Sequence, residues 1–190
     1  MGKINSSKDL LMVLLAARGK KNQKYEPIVG RTRIMKMVFL FEKEIRKKFD
    51  EEIISGSELP DFTAYDYGPF SAKVYEDLEF LVNMGFIEVA SFGTKEMLPD
   101  EIEEYAYWQT ISNDEDRFDK DRFFVEKFSL DELGKRYVQK KIQLSKSQLD
   151  TLAEFKKRCT IATLSSLLKY IYSRYPKYTK KSKIRDQVFS

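Results

Sequence analysis

With 190 residues, 42% of them hydrophobic and 14% aromatic, the chain is long enough for one domain, or one domain with an appendage, around a real core. It has no histidine and a single cysteine, Cys159, which excludes Ser/His or Cys/His nucleophile activation, an intrachain disulfide and a cysteine-based metal cluster. The net charge of +4 conceals a partition: residues 1–48 carry 13 Lys and Arg against 4 Asp and Glu, residues 49–133 carry 6 against 23, and residues 134–190 carry 15 against 3.

Ser6 with Asp9 makes a capping-box-like start for a first helix whose Leu10, Leu11, Val13, Leu14 and Leu15 leave it buried on most sides. Arg18 to Asn22 ends it, and the stretch to Pro27 reads as a polar loop. From Thr32 to Phe49, Ile34, Met35, Val38, Phe39, Phe41 and Ile45 follow helical spacing, with Thr32 as N-cap and Arg46, Lys47 and Lys48 in the last turn. Arg31 and Arg33 bracket that N-cap, where positive charge is disfavoured. Either they pair with the acidic middle segment, or they join the free amides of the first turn in holding a phosphate or carboxylate.

Ser55-Gly56-Ser57 marks a turn, Phe62 to Tyr67 alternates as a short extended piece, and Gly68-Pro69 breaks it. Ser71 is the N-cap of a helix through Met84, with Gly85 as its left-handed stop. Helix, helix, then β-rich segment is the order of a winged helix, and this helix would hold the recognition position. Its outer face offers Lys73, Glu76, Asp77, Glu79 and Asn83, and three carboxylates against one lysine argue against insertion into a DNA groove.

Phe86 to Phe92 reads as the first strand of a hairpin, with Gly93-Thr94 the turn and Tyr105 to Ile111 the second strand; Phe123 to Leu130 is a third. The acids between them, including Glu101, Glu103, Glu104, Asp114, Glu115, Asp116, Asp119 and Asp121, lack the glycine and terminal glutamate of a calcium loop and read as a solvated acidic loop. The last third is helical: Leu149, Leu152, Phe155 and Cys159 mark one stripe, and Leu164 to Tyr175 another, ended by Pro176. Cys159 reads as a small core residue. Tyr170 and Tyr178 are the aromatic rings left off the stripes, among the lysines that continue to Arg185.

Arg31 to Leu40, Tyr67-Gly68-Pro69-Phe70, Phe128-Ser129-Leu130 through Val138, and Leu168 to Tyr172 with Tyr175-Pro176 and Ser182-Lys183-Ile184 together carry a resemblance. The chain resembles the uncharacterised prokaryotic YwgA-like group and, more distantly, the Panacea (SocA-like) antitoxin domain. That resemblance implies a winged-helix-like body and, for Panacea relatives, neutralisation of a toxin by direct binding. It transfers no catalytic residue.

The expected fold is therefore α+β and mostly helical: a winged-helix-like domain over 1–142 with a β-wing, and a C-terminal helical extension over 143–190 with a basic tail. The expected function is non-enzymatic, as a nucleic-acid-associated regulator. Its anion-binding candidates are Arg31, Arg33, Lys36, Lys156, Lys157, Arg158, Tyr178, Lys180, Lys181, Lys183 and Arg185. The alternative is a protein-interaction module, an antitoxin or assembly factor, using the acidic face of Glu76, Asp77 and Glu79. No catalytic residue, metal or cofactor is expected, a homodimer is compatible with the composition, and the absence of a signal pattern or long apolar run places the chain in the cytoplasm, away from membranes.

Overall fold

Ser6 opens α1 (Ser7–Ala16): its Oγ accepts the Asp9 amide at 3.3 Å, and the Asp9 carboxylate in return accepts the amide of Asn5 at 3.0 Å. Leu10 through Leu15 are apolar without interruption, so no face is left for water, and all are buried against α3, α4 and β5, defined below. The computed structural model describes residues 4–49, 54, 60–93 and 124–189. The turn expected at Ser55-Gly56-Ser57, Thr94, the strand expected over Tyr105 to Ile111 and the acidic loop lie outside the described residues.

The polar loop after α1 is followed by a strand that its length hides from periodicity: β1 (Ile28–Val29) pairs with β5 (Phe124–Leu130), Ile28 opposite Phe128. Gly30, at φ +86°, then turns the chain into α2 (Arg31–Leu40). The N-cap is therefore Gly30, two residues before the expected Thr32, because Gly30 still donates its amide to Glu126 of β5 while already accepting from Ile34. A π-helical turn (Phe41–Ile45) and a 3₁₀ turn (Arg46–Lys48) carry it on to Phe49. Phe39 and Phe41 are wholly buried, each side chain contributing about 1.5–3 kcal/mol of transfer free energy.

Tyr67-Gly68-Pro69-Phe70 does not break the extended piece but forms its return. β2 (Thr63–Tyr65) and β3 (Gly68–Phe70) are a hairpin with Asp66 and Tyr67 as a two-residue turn. Gly68 lies at φ +85°, and Pro69 is tolerated because each strand of a two-stranded sheet has a free edge. The helix α3 (Ala72–Asn83) follows, Ser71 standing at its N-cap position without a side-chain bond. At its end Phe86 donates to the carbonyl of Leu81 and Gly85 to that of Val82, a Schellman closure with Gly85 at φ +73°.

β4 (Ile87–Gly93) pairs antiparallel with β5, Ile87 opposite Leu130 and Gly93 opposite Phe124, and the sheet order is β1-β5-β4. Asp131 caps α4 (Glu132–Lys141), a Ser145–Gln148 capping box starts α5 (Lys146–Ile161), and Thr163 caps α6 (Leu164–Arg174). A 3₁₀ turn (Pro176–Tyr178) leads to the terminal α7 (Arg185–Phe189). Both α5 and α6 pack on α2, and one apolar cluster extends from Ile4 to Val188. The fold is α+β and mostly helical.

Candidate polyanion surface and aromatic pocket

Four of the expected anion-binding cations are engaged inside the molecule. Arg31 grips Glu126 through Nε and Nη2, the latter at 2.9 Å, and Glu79 through Nη1; the bond to Glu126 and then that to Glu79 push its pKa further up. Of the two alternatives for this arginine, pairing with the acidic middle segment is the one found. Arg33 is buried and donates through Nη1 to the carbonyls of Cys159, at 2.6 Å, and Ala162, at 2.7 Å. Lys36 Nζ donates to the carbonyls of Tyr67 (2.6 Å) and Pro69 (2.9 Å). Lys156 Nζ donates to those of Leu15 (3.1 Å), Ala17 (2.8 Å) and Glu26.

Main-chain carbonyls thus take the place of the phosphate oxygens expected for Arg33, Lys36 and Lys156. Arg33 and Lys156 also sit where a cation is electrostatically favoured, at the C-terminal ends of α5 and α1. Burial pulls the amines of Lys36 and Lys156 down to about 7.

The expected acidic face of α3 is also largely neutralised. Asp77 is buried and holds the Ser7 hydroxyl, Lys8 at 3.1 Å and Lys73 at 3.4 Å. Burial pushes its carboxyl up, but these three donors outweigh it and keep the group below the ordinary aspartate range. Glu79 is held by Arg31, so Glu76 is the exposed carboxylate left, beside the exposed side chains of Phe80 and Met84.

The remaining candidates lie outside. Lys157, Arg158, Lys180, Lys181 and Arg185 are exposed on α5 and the tail. Lys183 is exposed too, its amine 2.7 Å from the Asp66 carboxylate and its amide bonded to the Asp66 carbonyl. Tyr178 is not available for stacking: its ring lies edge-on to Phe39 at 5.0 Å, Lys43 sits 4.7 Å from its centroid, and its hydroxyl accepts from the same amine. Tyr170 is exposed, and its hydroxyl donates to Glu44 at 2.7 Å. Cys159 is buried, with its thiol pushed up to about 12 by burial.

Sequence reasoning missed a set of aromatic side chains on the hairpin and the first turn of α3. Tyr65, Phe70 and Tyr75, with Thr32, Met35 and Lys36 beneath them, line a cavity of about 290 Å³ between the hairpin, α2 and α3. The Tyr65 and Phe70 rings lie 5.0 Å apart at 31°, and Phe70 meets Tyr75 edge-on at 5.4 Å and 78°. Tyr65 is 51% and Tyr67 39% exposed. The C-terminal tail docks here: Ser182 donates to the Asp66 carbonyl at 3.2 Å and is bonded to the Tyr172 hydroxyl at 2.6 Å. The available signal was aromatic density, four rings in the nine residues Phe62–Phe70.

No protein-family model matches the chain, and no curated protein and no solved structure shows significant similarity to it. Among the described residues no helix is long and apolar enough to cross a membrane.

Proposed function

We propose that this is a non-enzymatic winged-helix protein that associates with nucleic acid through its C-terminal helices, tail and hairpin rather than through α3. The winged-helix reading is supported by the order α1, β1, α2, α3, β4, β5, with the β2–β3 hairpin inserted between α2 and α3 and β1 seated beside β5. In that reading α3 is the recognition helix, yet its lysine is committed to Asp77 and its outer side chains are Glu76, Glu79, Phe80 and Met84. Apart from the exposed amide of Asn83, such a face offers bases and phosphates no uncommitted donor and sets two carboxylates against them.

The observation that carries the proposal is the location of the cations left over after internal pairing. Lys157, Arg158, Lys180, Lys181 and Arg185 are exposed, in a stretch of chain where Lys and Arg outnumber Asp and Glu 15 to 3. Exposed cations at that density attract phosphates and release counterions when they bind them. The test is fluorescence anisotropy with a labelled 20-nucleotide strand and the matching duplex at low and moderate salt. Binding that weakens steeply with salt, and weakens further in the K157E/R158E/K180E/K181E variant, is the expected result. No binding to either probe at low salt would overturn the proposal.

A second reading has its own support. Phe80, in the last turn of α3, is 47% exposed and Met84, its C-cap, 54%, with Glu76 on the same helix, which suits a basic, apolar protein partner such as the toxin that the antitoxin resemblance implies. Capture of one stoichiometric partner from the native host, lost in F80E/M84E, would favour it.

A further inference from the structure

We infer that the cavity under the β2–β3 hairpin takes one unstacked nucleobase of a single-stranded nucleic acid, while the tail lysines hold the flanking phosphates. The inference rests on the nucleic-acid reading above and specifies its ligand. A cavity of about 290 Å³ has room for a single ring system rather than a folded chain. Its walls are aromatic: Phe70 lies against Tyr65 at 5.0 Å and 31° and meets Tyr75 edge-on at 5.4 Å and 78°, rings against which a flat base packs face-on or edge-on. Tyr65 closes the outer side and is half exposed, which leaves an entrance from solvent.

The polar groups suit a base as well. The Thr32 and Tyr75 side chains both line the cavity. Lys36, which lines it too, donates to the Tyr67 and Pro69 carbonyls; as an ammonium, below about pH 7, it keeps a third N–H for a ring nitrogen or carbonyl oxygen, and above that both remaining N–H groups are committed. A base inside a duplex has both faces covered and cannot enter, so the ligand is a single strand or an unpaired end.

Charge around the mouth decides between a nucleobase and an aromatic side chain of a protein. Lys183 lies on Asp66 beside the Tyr65 and Tyr67 phenols, and Lys180 and Lys181 immediately precede the Ser182 that docks on the hairpin. On the α3 side, Tyr75 feels the Arg31 cluster, in which Glu79 and Glu126 leave one surplus negative charge. Phosphates therefore run along the tail side, with bases turned inward over Tyr65.

The experiment compares three labelled 20-mers on the full chain at low salt: oligo-dT, the same length of abasic backbone, and duplex DNA. Oligo-dT is expected to bind on the order of tenfold more tightly than the abasic strand, the size of one stacking contact. Y65A should remove most of that difference without changing abasic binding, and K180E/K181E should weaken both strands alike. Tyr65 is exposed, and an unchanged far-UV circular dichroism spectrum checks that Y65A folds. As an independent readout, 5-iododeoxyuridine in the strand should photocrosslink to Tyr65, Phe70 or Tyr75. Equal affinity for oligo-dT and the abasic strand, or crosslinks confined to the tail, would overturn the base pocket and leave backbone binding standing. Failure of all three probes to bind would overturn both readings.

Discussion

Arg33 in the first turn of α2 donates through Nη1 to the main-chain carbonyl of Cys159, 2.6 Å away in the last turn of α5, and the same nitrogen reaches Ala162 just beyond it. One buried guanidinium thus closes the end of a helix 126 residues further along the chain. A charge taken from water is tolerated there because its hydrogen bonds are made to carbonyls that would otherwise be orphaned.

The first prediction follows from that contact. Arg33→Met should lower stability by about 2–4 kcal/mol, since it strands buried carbonyls at the α5 terminus. Arg33→Lys should recover part of the loss, because an ammonium lacks the forked geometry. Urea unfolding measures both. A loss for Arg33→Met below about 1 kcal/mol would mean that these carbonyls find other donors easily.

A second prediction concerns pH. Lys36 and Lys156 have folded pKa values of about 7, against ordinary lysine values above 10, so between those limits the unfolded chain binds more protons than the folded one. Stability must then rise with pH through this interval, by up to about 1.4 kcal/mol per pH unit for each lysine. The useful window is pH 7 to 9. From the upper end of it the Cys159 thiol, raised to about 12, and then the partly buried Tyr75 and the buried Tyr172 act in the opposite sense, since they stay protonated longer when folded. Urea midpoints at pH 7 and 9 should show the rise in the wild type and roughly half of it in Lys36→Met. A midpoint that is flat or falling over that interval would show that both amines stay charged in the folded state.

The glycines give a third prediction, with a graded outcome. A Cβ on Gly134 would lie 2.2 Å from the carbonyl oxygen of Phe86, a backbone atom that cannot step aside without shifting the junction between α3 and β4. On Gly68 it would lie 2.9 Å from the Tyr172 ring, at a φ of +85°. On Gly85 it would meet nothing within 4 Å, so only the φ of +73° opposes it. Gly134→Ala and Gly68→Ala should therefore cost more than about 2 kcal/mol, and Gly85→Ala about 1 kcal/mol. Thermal melts of the three variants order them, and a Gly85→Ala variant as damaged as Gly134→Ala would contradict this account.

How much of this was legible beforehand depended on the range of the interaction. The Ser6 start of α1, the unbroken apolar run after it and the Gly85 stop are local, and each appears where its residues place it. The two-residue β1 is too short for alternation to register, and Gly68-Pro69 has the composition of a breaker although its geometry is that of a returning strand. The charges were the least legible. Lys156 and Lys157 are adjacent and chemically identical, yet one is fully buried on three carbonyls of the α1 terminus and its loop, while the other is in solvent. Helical phase separates them, but Lys156 lies beside the stripe of Leu152, Phe155 and Cys159, and nothing local announces that the carbonyls at Leu15 and Ala17 need a donor. The pocket at Tyr65 was hidden for a similar reason, since its walls join the hairpin to α3 and its floor belongs to α2.

The last prediction separates the engaged cations from the exposed ones. If nucleic acid binds as proposed, removing a cation that contacts phosphate should lower the slope of log affinity against log salt by about 0.7 for a single strand. Lys180→Ala with Lys181→Ala should then reduce the slope by about 1.4 while leaving the melting temperature within a degree or two. Arg31→Ala should do the reverse. It releases Glu126 and Glu79 and withdraws a cation 5.7 Å from the Phe128 ring centroid, so it should cost stability, while its guanidinium, already paired twice, contributes no counterion release. The two measurements, a salt titration by anisotropy and a melt, are independent of each other. A slope that falls in Arg31→Ala and stays constant in the tail variant would invert the assignment, placing the phosphate contacts at the start of α2 and making the tail a bystander.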